Sequence, residues 1–138
     1  MDEREEVLGA AAAIVAAFGA HDVEAYFAGF SPDATFVFHT AEEPLRSRAA
    51  YEALWTSWEQ ETGFHVISCS SSDRDVQLLG AARDVAVFTH RVHTVVRTSD
   101  GEESVEERET IVLHRGPDGR WVAVHEHLSP APAGAGSS

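Results

Sequence analysis

At 138 residues the chain is long enough for one domain with a real core, and its 43% hydrophobic content, with three Trp and seven Phe, supplies aromatic surface to fill it. A net charge of −13, with only ten Lys and Arg, excludes the basic footprint that nucleic acid or an anionic membrane surface requires. Its plainest meaning is solubility. One cysteine, Cys69, excludes an intrachain disulfide and reads as a small buried hydrophobe in a strand.

The start, Met1-Asp2-Glu3-Arg4-Glu5-Glu6, is acidic and carries the wrong charge for a signal peptide. No apolar run approaches the roughly 20 residues of a membrane span, so a cytoplasmic location is the expectation. From Glu3 to Gly19 the apolar residues Val7, Leu8, Ala11, Ile14, Val15 and Phe18 recur at helical spacing. Asp22 is placed to cap a short second helix, Val23 to Gly29. Ser31-Pro32-Asp33 reads as a turn into a strand over Ala34–His39, and a loop with Pro44 follows. A third helix over Arg48–Thr62 carries Tyr51, Leu54, Trp55 and Trp58 on one face and stops at Gly63. Four longer strands fill the remainder: Phe64–Leu79, Asp84–Thr98, Glu103–Arg115 and Arg120–Ser129. The tail over 131–138 is small, polar and breaker-rich, and reads as disordered beyond a single domain over 1–130. Helices followed by a run of strands predict an α+β domain with three helices on one face of an antiparallel or mixed sheet of five to six strands.

Side chains alternate across a strand, so hairpin geometry assigns each residue a face. A turn centred on Asp100-Gly101 sets Ile111 opposite His90 and Glu109 opposite Val92. A turn centred on Pro117-Asp118 sets Val124 opposite Ile111 and Glu126 opposite Glu109. The helix-facing set is then Phe88, His90, Val92, Glu109, Ile111, Leu113, Val122, Val124, Glu126 and Leu128, and a one-residue change in either loop inverts it. Within it Glu109 and Glu126 are neighbours, with His90 one strand away. Two carboxyls this close and partly desolvated cannot both ionise cheaply, so one retains a proton, and the three residues form a candidate general acid–base set. The bland alternative sets the pair at a wet cavity mouth, or neutralised by Arg. The opposite face carries Arg91, His93, Arg108, Thr110, His125 and His127. His125-x-His127 has the alternation of a metal motif, but no third ligand has convincing spacing, so no metal is expected. Nothing resembles a phosphate loop or a nucleophile elbow, and no cofactor is expected.

The last strand, read as Trp121-x-x-Val124-His125-x-His127-x-Ser129, resembles the final strand of the SnoaL-like proteins of the nuclear-transport-factor-2-like superfamily, a cystatin-like fold. Asp22-Val23-Glu24-Ala25 through Thr35 resembles the helix-to-strand passage of ketosteroid isomerases. Glu109 through Trp121, together with His125-x-His127, resembles the calmodulin-dependent kinase association domain. The resemblance spans about residues 5–130 and implies a cone, a curved sheet wrapped around helices over a ligand pocket. It implies a homodimer through the outer sheet face, where Arg91, His93, Arg108, His125 and His127 lie. It makes Tyr51 and Trp55 on the third helix the leading ligand contacts, with Phe38, Ile14, Phe88, Val92, Ile111, Val124 and Leu128 as the remaining wall, suited to an apolar cyclic ligand. The positions of the isomerases' Tyr and two Asp fall on Ile14, Phe38 and Ile111, so standard steroid isomerase chemistry is not expected. Val92 and Ile111 likewise replace two association-domain arginines. The resulting expectation is a small-molecule-binding protein, acting by cofactor-free isomerisation, cyclisation or dehydration through Glu109, Glu126 and His90. The alternative is a non-catalytic association or ligand-binding module.

Overall fold

The Ala-rich opening segment forms α1 (Glu3–Gly19), capped by the Asp2 carboxylate, which accepts from Glu5 N–H at 2.8 Å. Its buried residues Val7, Ala11 and Ile14 recur on one face at helical spacing. Asp22 caps α2 (Val23–Ala28) as expected, accepting from Ala25 N–H. After β1 (Phe30–Phe38), Ser47 caps α3 (Arg48–Thr62) by accepting from Ala50 N–H at 3.0 Å. Four strands complete the chain: β2 (His65–Leu79), β3 (Val85–Thr98), β4 (Gly101–Arg115) and β5 (Trp121–Pro130). This computed structural model describes residues 2–132. Ala131 N–H still donates to Glu106 O at 3.1 Å, and the expectation of a disordered tail otherwise falls largely on 133–138, outside the described residues.

The five strands lie in the order β1-β5-β4-β3-β2, antiparallel except that β1 runs parallel to β5. The sheet is therefore mixed, and with three helices the fold is α+β. The helices cover one face, with α1 across β2, β3 and β5 and both α2 and α3 against β1. At the α1–α2 corner, His21 accepts from Val66 N–H at Nδ1, while its Nε2 meets Glu59 of α3 at 2.8 Å. One imidazole thus ties two helices to the sheet.

Three local expectations are corrected. Ser31-Pro32-Asp33 lies inside β1, whose register against β5 shifts between Phe30 and Thr35. A proline is tolerated there because β1 is an edge strand. In the β3–β4 hairpin, Thr98 pairs with Gly101 (φ 111°), so the turn centres on Ser99-Asp100. That one-residue shift of the turn slides the register by two residues: Glu109 faces His90 and Ile111 faces Phe88, with every side chain kept on its expected face. The third correction is in β5. Its first residues pair as Arg115 with Trp121 and Leu113 with Ala123, placing Trp121 and Ala123 in the core and Val122 and Val124 on the other face. A register shift between Val112 and Leu113 adds a residue on β5 and reverses the facing again. Glu126 then lies opposite Ile111, and Leu128 opposite Glu109.

Candidate functional site

Inward-facing positions of β3, β4 and β5 bring the polar residues together. His90, Glu109 and Glu126 are all buried, at 4%, 8% and 2% exposure. His90 Nε2 lies 2.5 Å from Glu109 Oε1, and its Nδ1 lies 2.6 Å from the hydroxyl of Ser71 on β2. Glu109 and Glu126 share a hydrogen bond. Tyr26 of α2 donates to Glu126 Oε1 at 3.3 Å, and Tyr51 of α3 meets Tyr26 hydroxyl to hydroxyl at 2.9 Å. A single hydrogen-bonded chain thus runs from β2 through three strands to two helices.

The electrostatics assign the protons along it. Burial raises both carboxyls, and repulsion from Glu109 together with their shared hydrogen bond raises Glu126 further, well above the ordinary carboxyl range. Burial pushes His90 down to about 4, so the ring is neutral. With the pair's proton on Glu126, the carboxyl raised further, Glu126 donates to Glu109, which also accepts from His90 Nε2–H, and Ser71 O–H donates to Nδ1. Tyr51 then donates to Tyr26. Every donor in the chain has an acceptor, and no buried side-chain polar atom among the described residues lacks a partner. Burial also holds the tyrosines well above their usual range, so they act as neutral donors.

Two cavities with shared wall residues border this chain, the inner at Tyr26, Tyr51, Glu109 and Glu126 and the outer at Tyr51. The inner chamber, about 50 Å³, is lined by Ile14, Tyr26, Tyr51, Cys69, Val92, Glu109 and Glu126 among others, and has room for a few waters. The outer funnel, about 390 Å³, is walled by Phe18, Phe38, Tyr51, Trp58 and Phe64 and is large enough for a small organic molecule. Phe18, Tyr51, Thr94, Glu107 and Leu128 line both and form the neck. His39 Nε2, at the end of β1, meets Glu107 Oε2 across the mouth at 2.5 Å. Cys69 is half-buried, and burial pushes its thiol up to about 11, which leaves it a poor nucleophile.

Of the expected ligand wall, Ile14, Phe38, Tyr51, Val92 and Leu128 line one cavity or both. Trp55 lines neither: it sits below Tyr51 in the aromatic core, 5.7 Å from the rings of Phe18 and Phe27, and its indole N–H is taken by Glu59 at 3.0 Å. Phe88 packs beneath the His90 ring at 4.5 Å, and Ile111 is fully buried behind the carboxyls. Val124 is excluded by the β5 irregularity. Sequence reasoning passed over Ser71 and Glu107, and placed Tyr26 only among the aromatic residues of the core and pocket wall. A tyrosine on the buried face of a six-residue helix was the available signal for Tyr26, and Glu107 sits two residues from Glu109 on the same face. On the outer face, His125 Nδ1 meets Thr35 Oγ1 at 2.8 Å, Arg91 and His93 both contact Glu106, and Arg91 lies directly opposite Arg108. Among the described residues no three His, Cys, Asp or Glu are grouped to hold a metal ion.

A family profile described as the SnoaL-like domain matches residues 7–134. The chain belongs to the SnoaL-like domain family. No curated protein sequence matches it. Solved structures similar to this SnoaL-like chain include a ketosteroid isomerase-like protein from Erwinia carotovora atroseptica, with TM-score 0.78, 17% identity, and coverage of 95% of this chain and 98% of that one. The CaMKII hub of S. rosetta matches with TM-score 0.74 and 20% identity over 95% and 98% of the two chains. A Catenulispora acidiphila protein in complex with S-DNPA matches with TM-score 0.72 and 17% identity over 90% of each. At these identities the likeness is one of fold. The SnoaL-like architecture, a mixed sheet closing over helices, is what sets the polar chain at the bottom of an aromatic funnel. No helix among the described residues is long and apolar enough to cross a membrane.

Proposed function

We propose that this SnoaL-like protein binds an apolar cyclic molecule in the funnel and chamber and catalyses a cofactor-free proton transfer on it, as an isomerase, cyclase or dehydratase. The observation that carries the reading is the Glu109–Glu126 pair, two buried carboxyls at the chamber wall, with Glu126 raised well above the ordinary carboxyl range by burial and by Glu109. Glu109, held by His90 Nε2–H, is the base that takes a proton from a carbon next to a carbonyl. Glu126 is the acid that turns its O–H from Glu109 to the carbonyl oxygen, giving an enol and an ionised Glu126. Delivery of that proton from Glu109 to a different carbon, as the enol O–H returns to Glu126, completes an isomerisation; delivery to a leaving hydroxyl, which departs as water with the same return, completes a dehydration. Either course leaves the pair as it began. Tyr51 and Tyr26 orient the substrate oxygen, and His90 holds Glu109 in place. A homodimer through the outer face, with Arg91, His93, Arg108, His125 and His127 at or near the contact, belongs to the same proposal.

The test uses β-tetralone, a neutral fused-ring ketone, with exchange of its acidic α-protons into heavy water followed by NMR. The wild-type protein is expected to accelerate exchange, and Glu109→Gln and Glu126→Gln to reduce the acceleration by about 100-fold or more with the fold intact. Exchange at the buffer rate, or unchanged exchange in both variants, contradicts the catalytic reading. The small inner chamber favours the second reading, a ligand-binding or association module without turnover. It predicts β-tetralone binding with exchange at the buffer rate.

A further inference from the structure

We propose that the site selects a cationic ligand, an amine carried on an aromatic or polycyclic body, with Glu107 at the neck as its counter-charge. The inference rests on the small-molecule reading above and specifies the class of molecule. The inner face of a strand is normally apolar, yet on β4 it carries Glu103, Glu107 and Glu109, and β5 adds Glu126. Among the described residues no lysine or arginine lines either cavity, and the one imidazole lining the funnel, that of His39, is already engaged by Glu107. The Glu107 side chain is 13% exposed, so its charge is felt through a less polar medium than a surface carboxylate's. His39 occupies Oε2, and among the described residues Oε1 accepts no hydrogen bond.

Five aromatic rings, Phe18, Phe38, Tyr51, Trp58 and Phe64, line the same funnel as Glu107. Ring faces carry negative potential and attract an ammonium group, so rings and carboxylate favour the same ligand charge. A carboxylate or phosphate ligand would meet four glutamates and no cationic partner. A neutral polycycle gains the apolar burial alone. The combination therefore ranks ligands of one shape in the order cation, neutral, anion.

The experiment is isothermal titration of the full chain with three probes of one shape: naphthylmethylamine, naphthylmethanol and naphthoic acid, at physiological salt and mildly alkaline pH. The amine is expected to bind about tenfold more tightly than the alcohol, with the acid weakest. Glu107→Gln, whose amide oxygen can still accept from His39, should erase the amine preference and leave alcohol affinity within about twofold. Glu61→Gln, an exposed change on α3 away from both cavities, controls for overall charge and should preserve the preference. Equal binding of amine and alcohol, tightest binding of the acid, or equal loss of preference in Glu61→Gln overturns the cation assignment while leaving the pocket reading intact. Failure of all three probes to bind overturns both.

Discussion

Burial opposes charge on Glu109, Glu126 and His90, but with opposite consequences for pH. Glu109 and Glu126 have folded pKa values above their unfolded ones, so their favourable contribution is complete below the ordinary carboxyl range and is lost as pH rises through the raised values. His90 is depressed to about 4, so its contribution is present above the ordinary imidazole value and is lost as pH falls towards 4. Denaturant unfolding across this range should show stability declining on the alkaline side, and Glu126→Gln should flatten that decline by removing the carboxyl with the largest rise. A variant that declines as steeply as the wild type would show that Glu126 is not the group responsible. The neighbouring hydroxyl matters too. Ser71→Ala leaves a buried imidazole nitrogen without its donor, and a loss of about 1–3 kcal/mol in the same assay is the expected outcome.

At the scale of elements, the site depends on how closely α1 and α2 approach each other and on one irregularity in β5. A Cβ added at Gly29 would fall 2.8 Å from Ile14 Cγ1, and Gly29 O accepts from Ala123 N–H of β5 at 2.9 Å. Gly29→Ala should therefore destabilise by about 1–3 kcal/mol, read as a lower denaturation midpoint with an unchanged slope. Wild-type stability would mean that Ile14 can move aside. The helices were legible in the sequence to within a residue because caps and apolar spacing agree locally at Asp22, Ser47 and Gly63. Strand facing was legible for β3 and β4, since the one-residue error in the turn centre at Ser99-Asp100 moves the register by two and preserves parity. In β5 two errors cancelled: the turn reversed the facing of Trp121 and Ala123, and the bulge restored it before Glu126. A bulge has no local signature in Val122-Ala123-Val124, so Val124 could not be excluded from the wall. Trp55 was misplaced for another reason. Helical spacing puts Tyr51 and Trp55 on one face, but one turn of rise separates a residue at the cavity from one beneath it.

For the whole molecule, the outer sheet face carries half-buried Val87 and Val112 in register, beside Arg91 and Arg108 directly opposite each other. Like charges in that position destabilise a sheet unless an outside partner compensates them. The dimer proposal predicts that sedimentation equilibrium finds two chains, and that Val112→Asp yields a folded monomer. A monomeric wild type would remove the outer face as an interface. The central claim, however, concerns the inner face: two carboxyls at the base of the funnel share one proton. Carbon-13 NMR titration of the glutamate side-chain carboxyls tests it most directly. The account predicts one resonance titrating above the ordinary carboxyl range, assigned to Glu109, and one titrating well above it, assigned to Glu126. In Glu126→Gln the higher step should vanish and the Glu109 step should shift. Titration of every glutamate within the ordinary range would contradict the shared proton and the acid–base mechanism built on it.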